Sequence, residues 1–373
     1  MSITTRAAVC RVPGQPWEIT ELELDEPKAN EIRIKFFAAG LCHSDDHIQK
    51  GDAPMRMPVV GGHEGAGIVD AVGPSVTRVN EGDHVTCSFI PACGKCRYCA
   101  TGRQNLCDAG KNAGTGMFPD GTFRFHQGGE DFGGLCVLGT FSQYVVVHEF
   151  SVIKIPDEIG FDVAALVACG VPTGWGSAVR AGDVRAGHTV VIYGAGGVGS
   201  NAVQGARFAG AKNVVVVDPV EFKREMATTV FGATRAFATA KQAHDFVVET
   251  TWGQLADHVI MTPGVVTEEM VTAAVMMTGK GGKVTITAVG HINERAVHFP
   301  AGMLIGYHRQ IRGALAGDSN LLYDIPMLLG LYKSGQLKLD ELVTRKYTLD
   351  QVNQAYQDLN DGKNIRGVII HEH

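Results

Sequence analysis

The chain has 373 residues, of which 45% are hydrophobic and 19% charged, with a formal net charge of −6. That length exceeds what one core usually serves and favours two domains, in a chain of ordinary globular composition. The acidic balance without a Lys/Arg-rich block excludes a nucleic-acid footprint, and no apolar run reaches bilayer-spanning length. The start, MSITTRAAVCRV, lacks the apolar stretch of a secretory signal, so the expected location is the cytoplasm.

In chain order, the first third is rich in Gly, Pro and short alternating runs. EIRIKFFAAG and HEGAGIVDAVG read as strands between turns. From about Thr189 the texture changes. TVVIYGAGGVG reads as a buried strand entering a Gly-rich turn, followed by the small-residue helix SNAVQGARFAGA. Strand NVVVVD, helix FKREMATTVFG, strand DHVIMT, helix EEMVTAAVMMT and strand KVTITAV follow. Strands alternating with helices specify a parallel sheet covered on both faces. After Gly313 the pattern is irregular again, with a helix at DIPMLLGLYKSGQ and a closing strand at IRGVIIHEH. The organisation is an α/β domain inserted between two parts of a β-rich domain.

The segment GAGGVG, with Gly194, Gly196, Gly197, Val198 and Gly199, matches the dinucleotide fingerprint. It follows an apolar strand, opens a helix, and is trailed by Asp218 at the end of the next strand. Glycines let the backbone approach a pyrophosphate, and the helix N-terminus supplies N–H donors. Asp218 can accept hydrogen bonds from a ribose diol and would repel a 2′-phosphate, which favours NAD over NADP. A tight strand–helix turn without a ligand is the plainer reading, and the full context disfavours it.

The chain holds nine cysteines. An odd number in a reducing compartment argues for metal or catalysis over disulfides. Cys93, Cys96, Cys99 and Cys107 are spaced C-x2-C-x2-C-x7-C, which fits one tetrahedral zinc shell and, less well, an iron–sulfur cluster. Four thiolates leave no open position, so this is a structural clip. GLCHSDDH, VGGHEGAG and VACGVPTGWG contribute Cys42, Ser44, Asp45, His47, His63, Glu64 and Cys169. A Cys–His–Cys set would leave zinc one open place. Singly, Cys169 reads equally as a small buried hydrophobe, His63 as a core histidine and Asp45 as a helix cap. No spacing rule joins Cys42 to Cys169.

The ordered set LCHSDDH, GGHEGAG, CGKCRYC, DGTFRF, CGVPTGWGSAV and GAGGVG resembles the zinc-dependent medium-chain alcohol dehydrogenases over nearly the whole chain. The resemblance implies an α/β protein. Its GroES-like β-rich catalytic domain would span 1–172 and 316–373, with a structural zinc lobe at 93–107. Its doubly wound Rossmann domain would span 173–315. It implies two zinc ions per chain, the catalytic one on Cys42, His63 and Cys169, with Glu64 beside it and Asp45 fixing the His63 tautomer. Hydride would pass between a primary or secondary alcohol, or an aldehyde, and NAD. Ser44 and His47 would form the proton relay and Phe89 would line the substrate site. Thr173 would meet the nicotinamide, Lys223 the adenosine ribose, and His43 and Arg366 the pyrophosphate.

His43 stands where many relatives carry Arg. Ala53 replaces an acidic residue of the glutathione-linked formaldehyde dehydrogenase branch, which counts against an S-hydroxymethyl substrate, although Lys111 offers a cation to an anionic thiol carrier. A non-catalytic zinc and nucleotide-binding scaffold would lack one of Cys42, His63 and Cys169, and all are present. The DGTFRF loop resembles the branch that forms homodimers. VVDPVEFKRE and GQLKLDELVTRKY are similar to actinobacterial nicotinoprotein alcohol dehydrogenases, which implies a retained NAD and an external electron acceptor.

Overall fold

The computed structural model describes residues 2–288, 299 and 301–373. They divide into two compact units, Met1–Cys169 with Asn320–His373, and Gly170–Ser319. The seams read from sequence fall at 172/173 and 315/316.

The first unit is built on strands. A closed barrel runs Ile3–Cys10, Glu18–Leu24, Phe125–Gln127, Glu130–Gly134 and Val59–Val60. A second, seven-stranded sheet is centred on Glu31–Gly40, which pairs antiparallel with Gly65–Val72, Tyr144–His148 and the late strand Arg366–Ile370. Along EIRIKFFAAG the apolar side chains Ile32, Ile34 and Phe36 alternate with half-buried Arg33 and Lys35, so one face enters the core beside Leu22, Leu24 and Phe132. The DGTFRF segment is pinned by Arg124, a fully buried side chain whose Nε donates to Glu31 at 2.8 Å. Burial of this guanidinium is tolerable because Glu31 and Asp120 both accept from it.

The second unit carries six parallel strands: β1 (Thr189–Tyr193), β2 (Asn213–Val217), β3 (Arg235–Phe237), β4 (Ala256–Met261), β5 (Thr278–Ile286) and β6 (Gln310–Gly313). Their order is β3-β2-β1-β4-β5-β6, with every neighbour parallel. This is the dinucleotide-binding arrangement, whose ligand crevice lies outside the carboxyl ends of the strands, where the order reverses. Every residue of β1 and β2 is buried, as expected when helices cover both faces. Between these strands run the helices α1 (Gly197–Phe208), α2 (Glu221–Thr229), α3 (Ala240–Thr250) and α4 (Glu268–Met277), and the unit also holds the short helices Gly170–Gly176 and Gly302–Tyr307.

Three of the labelled elements were not read from the sequence: β3, α3 and the four-residue strand β6. β3 spans three residues, too few for a period, whereas α3 starts with a capping box between Thr239 and Gln242 that sequence inspection could have found. Of the strand read as KVTITAV, Val289 lies outside the described residues.

Candidate metal centres and dinucleotide turn

The four-cysteine lobe forms locally. Cys96 caps the short helix Arg97–Ala100, its sulfur accepting from Cys99 N–H, and Cys93 and Cys107 accept from the N–H groups of Cys96 and Cys93 at 3.3 and 3.4 Å. Cys93 and Cys99 sulfurs lie 3.9 Å apart, as do those of Cys96 and Cys107. A tetrahedral shell with Zn–S near 2.3 Å requires about 3.8 Å between sulfurs, so the donors fit zinc. Backbone N–H groups of Cys99 and Asp108 pull the Cys96 thiol down to about 6, while burial pushes Cys99 up to about 12. Arg78, anchored on the Ala92 carbonyl at 2.6 Å, adds positive charge beside Cys93, Cys99 and Cys107. All nine cysteines are free thiols.

The second cluster is assembled from distant segments. Cys42 lies between strand Glu31–Gly40 and helix His43–Lys50, and His63 and Glu64 precede strand Gly65–Val72. Cys169 follows helix Phe161–Leu166. One donor atom from each of Cys42, His63, Glu64 and Cys169 lies within 4.8 Å of all the others. His63 and Glu64 are 2% and 0% exposed, so these polar groups face one another away from water.

Asp45, itself fully buried, accepts from Gly62 N–H at 3.0 Å and lies 3.2 Å from His63 Nδ1. That contact commits Nδ1 and leaves Nε2 as the ligand atom. Gly40 is a glycine for a packing reason: a β-carbon there would overlap the Glu64 carboxylate, which is ion-paired with Arg366. Glu64 Oε1 is buried with no partner, an acceptor consistent with a nearby cation.

The electrostatics point the same way. Hydrogen bonding from Cys169 holds the Cys42 thiol well below its usual range against the cost of burial, with His63 helping. Cys169 is correspondingly pushed well up. A cation bound there would displace thiol protons. Burial opposes charge on His63, but Asp45 and Cys169 outweigh it and raise His63. Burial and Cys42 raise Glu64 to about 7, with Arg366 working against them.

Around the cluster, Ser44 Oγ lies 3.6 Å from Cys42 Sγ. His47, one turn along the same helix, is 3% exposed and sets Nδ1 3.0 Å from Asp52 Oδ2. Asp52 was not singled out from sequence. Phe89 presents its ring edge-on to His63, with centroids 5.7 Å apart. Arg366, expected at a pyrophosphate, directs Nη2 to Glu64, and its buried Nε has no partner. Cys136, also unforeseen, is close enough to feel His63, Asp45 and Cys42, and burial raises it to about 11. His43 opens the helix and is half-buried.

In the second unit, the Gly-rich turn joins β1 to α1. Gly194 has φ +89°, which only glycine adopts without strain, and its N–H donates to Val217 O. A β-carbon on Gly199 would strike the Gly194 carbonyl, whereas one on Gly196 would meet no protein atom within 4 Å. Packing within the chain therefore does not require glycine at 196, and the open space fits a phosphate cradle. Asp218 holds the turn directly: Oδ2 accepts from Ala195 N–H at 2.7 Å and Oδ1 from Val220 N–H at 2.8 Å. Lys223 on α2 has its pKa lowered by burial and countered by Asp218. Thr173 lies on helix Gly170–Gly176, where Gly174 lets the backbone approach Val198 closely, and its buried Oγ1 has no partner. An orphaned hydroxyl, an open glycine and a diol-competent carboxylate fit a dinucleotide.

Two family models match: residues 28–157 match the alcohol dehydrogenase GroES-like domain, and residues 197–333 the zinc-binding dehydrogenase domain. The chain belongs to the zinc-binding alcohol dehydrogenase family and is an oxidoreductase. Among curated relatives it is 56% identical to an NDMA-dependent alcohol dehydrogenase of Amycolatopsis methanolica, over 98% of this chain and 99% of that one. Among solved structures it superposes on a zinc-binding alcohol dehydrogenase domain protein of Burkholderia ambifaria with TM-score 0.92, 30% identity and full coverage of both chains. It superposes equally well, at TM-score 0.92 and 28% identity, on benzyl alcohol dehydrogenase of Acinetobacter calcoaceticus, covering 99% and 100% of the two chains. Among the described residues, no helix is long and apolar enough to cross a membrane.

Proposed function

We propose that the protein interconverts a primary or secondary alcohol and its aldehyde or ketone by hydride transfer with NAD, and that Cys42, His63 and Cys169 hold the zinc where this happens. The observation that carries the reading is the buried Cys–His–Glu–Cys cluster, whose four donors lie within 4.8 Å of one another and whose histidine has its Nδ1 on Asp45. Zinc held there would supply a Lewis acid that brings an alcohol hydroxyl's pKa toward neutrality. NAD, held by Gly194, Gly196, Gly197, Val198, Gly199, Asp218, Lys223 and Thr173, would accept the hydride.

The chain's own residues handle the proton and the fit. Ser44 Oγ, beside Cys42, accepts the substrate hydroxyl proton. His47 sits on the same face of the helix, oriented by its Nδ1 contact with Asp52, and takes the proton onward. Phe89 offers an apolar wall to the substrate's carbon skeleton. Glu64, which burial and Cys42 raise to about 7 against the pull of Arg366, sits next to the cluster.

The 56% identity to an NDMA-dependent enzyme supports the narrower reading that NAD stays bound between turnovers and that an external acceptor reoxidises it. The likeness of the DGTFRF loop to the dimer-forming branch supports a homodimer, proposed to act in the cytoplasm. Desalting the purified protein, denaturing it and assaying released NAD(H) tests cofactor retention: about one equivalent per chain is expected, and a cofactor-free protein active with added NAD alone refutes it. Zinc analysis tests the site, with two ions per chain expected and one ion in a fully active enzyme fatal to the assignment.

A further inference from the structure

The second unit contains a cleft that the dehydrogenase reaction does not use. It has a volume of about 780 Å³ and is bordered by Thr189, Asn213 and Ala256, the first residues of β1, β2 and β4. It therefore opens at the amino-terminal edge of the sheet. The Gly-rich turn leaves the other end of β1, about 13 Å away at about 3.3 Å per strand residue. The volume lies within the usual range for small-molecule sites.

Its chemistry is cationic and aromatic. Arg309 is 8% exposed, yet among the described residues its Nε and Nη1 are buried with no hydrogen-bond partner, and the Tyr307 ring lies 4.8 Å from Cζ. A buried guanidinium with unpaired N–H groups is costly unless an acceptor reaches it. Lys280 Nζ lies 5.9 Å from the same Tyr307 ring, and Lys212 Nζ lies 5.8 Å from the ring of Trp252. Among the described residues lining the cleft, the acid is Asp257, and its Oδ2 already accepts from Thr189 N–H at 2.7 Å.

Trp252 is 86% exposed, on a loop that holds three left-handed residues, Trp252 at φ +52°, Gly253 at +82° and Leu255 at +68°. Left-handed backbone costs free energy at Trp and Leu, so the fold maintains a strained turn that presents a large flat ring to solvent.

We propose that this cleft binds a small phosphorylated molecule carrying a planar ring, of the mononucleotide class. Its phosphate would take the Arg309 N–H groups and Lys280, and its ring would lie on Trp252. Arg supplies fork geometry for phosphate oxygens, Lys280 adds a point charge, and the indole gives a stacking face. The site lies at the opposite end of β1 from the Gly-rich turn.

Trp252 is a built-in reporter, because Trp17 and Trp175 are 4% and 2% exposed. Titrating the intact protein with ADP while following tryptophan emission is expected to give a saturable change that vanishes in Trp252→Phe. Affinity should fall at least about tenfold in Arg309→Gln and in the surface variant Lys280→Gln, and at least about tenfold for adenosine in place of ADP, as expected for charge-assisted phosphate bonds. Alcohol turnover in both cation variants should stay within about twofold of the parent, since neither residue touches the reaction. No saturable change at millimolar ADP, equal affinities for ADP and adenosine, or an affinity unchanged by Arg309→Gln would overturn the proposal. So would an emission change that follows protein concentration instead of nucleotide, which would mark the face as a contact between copies of the chain.

Discussion

The two cysteine clusters solve the same problem, gathering soft donors, in opposite ways. Cys93, Cys96, Cys99 and Cys107 come from one loop, and backbone N–H groups of the same loop hydrogen-bond their sulfurs. Cys42, His63, Glu64 and Cys169 come from three distant segments, and side chains orient them: Asp45 the histidine, Arg366 the glutamate. The local cluster is partly exposed and made only of thiols, whereas the distributed one mixes donor types and is sunk against Phe89. A closed shell of four thiolates can only clip the fold. A three-ligand set with a carboxylate held back by an arginine keeps a place for chemistry.

Breaking each cluster separately sharpens this contrast. Cys42→Ser or Cys169→Ser should reduce kcat by at least about a thousandfold, because Lewis-acid stabilisation worth several kcal/mol is lost, while the melting temperature moves little. Steady-state kinetics beside calorimetric melting checks both halves, and a variant that unfolds instead would mean the buried cluster is also structural. Cys96→Ser should do the reverse, lowering Tm by roughly 10 °C as the lobe loses its metal, since structural zinc sites contribute folding free energy. Zinc analysis of the soluble fraction should then read one ion per chain.

Asp45→Asn probes the supporting contact, with an expected loss of about 10- to 100-fold in zinc affinity or turnover, read by chelator competition. Smallest in scope is Asp218→Gly. It should relax the preference for NAD over NADP by roughly tenfold, the worth of a charge-assisted hydrogen bond, and loosen the turn that Ala195 N–H anchors. A ratio of kcat/KM values with the two cofactors measures it.

What could be read from the sequence follows the distance between interacting residues. The four-cysteine lobe and the Gly-rich turn are short-range devices, so their spacing alone displays them, and the alternating texture from Thr189 onward displays the parallel sheet. The Cys42–His63–Cys169 set needed the whole-chain resemblance, because no local rule joins residues from three elements. Pairings that only the folded chain creates stayed hidden: Arg366 with Glu64, Asp52 with His47, and the Asp218 carboxylate on Ala195 N–H. Cys136 gave no signal either, since its left-handed φ of +56° belongs to the backbone and its identity does not announce it. The three-residue strand β3 escaped for want of length.

The late strand Arg366–Ile370 has a consequence for how the protein is made. It pairs with Glu31–Gly40 through Val368↔Gly40 and Ile369↔Ala39, and it delivers Arg366 to Glu64. The unit Gly170–Ser319 is continuous and can acquire its sheet as soon as its own residues leave the ribosome. The unit containing the zinc donors cannot finish until the chain is nearly all synthesised. Until then Glu64 is a carboxylate without its arginine, and the sheet beside Cys42 lacks a strand. The four-cysteine lobe needs no such late arrival, and a ribosome paused shortly before residue 366 should display it already metallated beside an unfinished Cys42–His63–Glu64–Cys169 cluster.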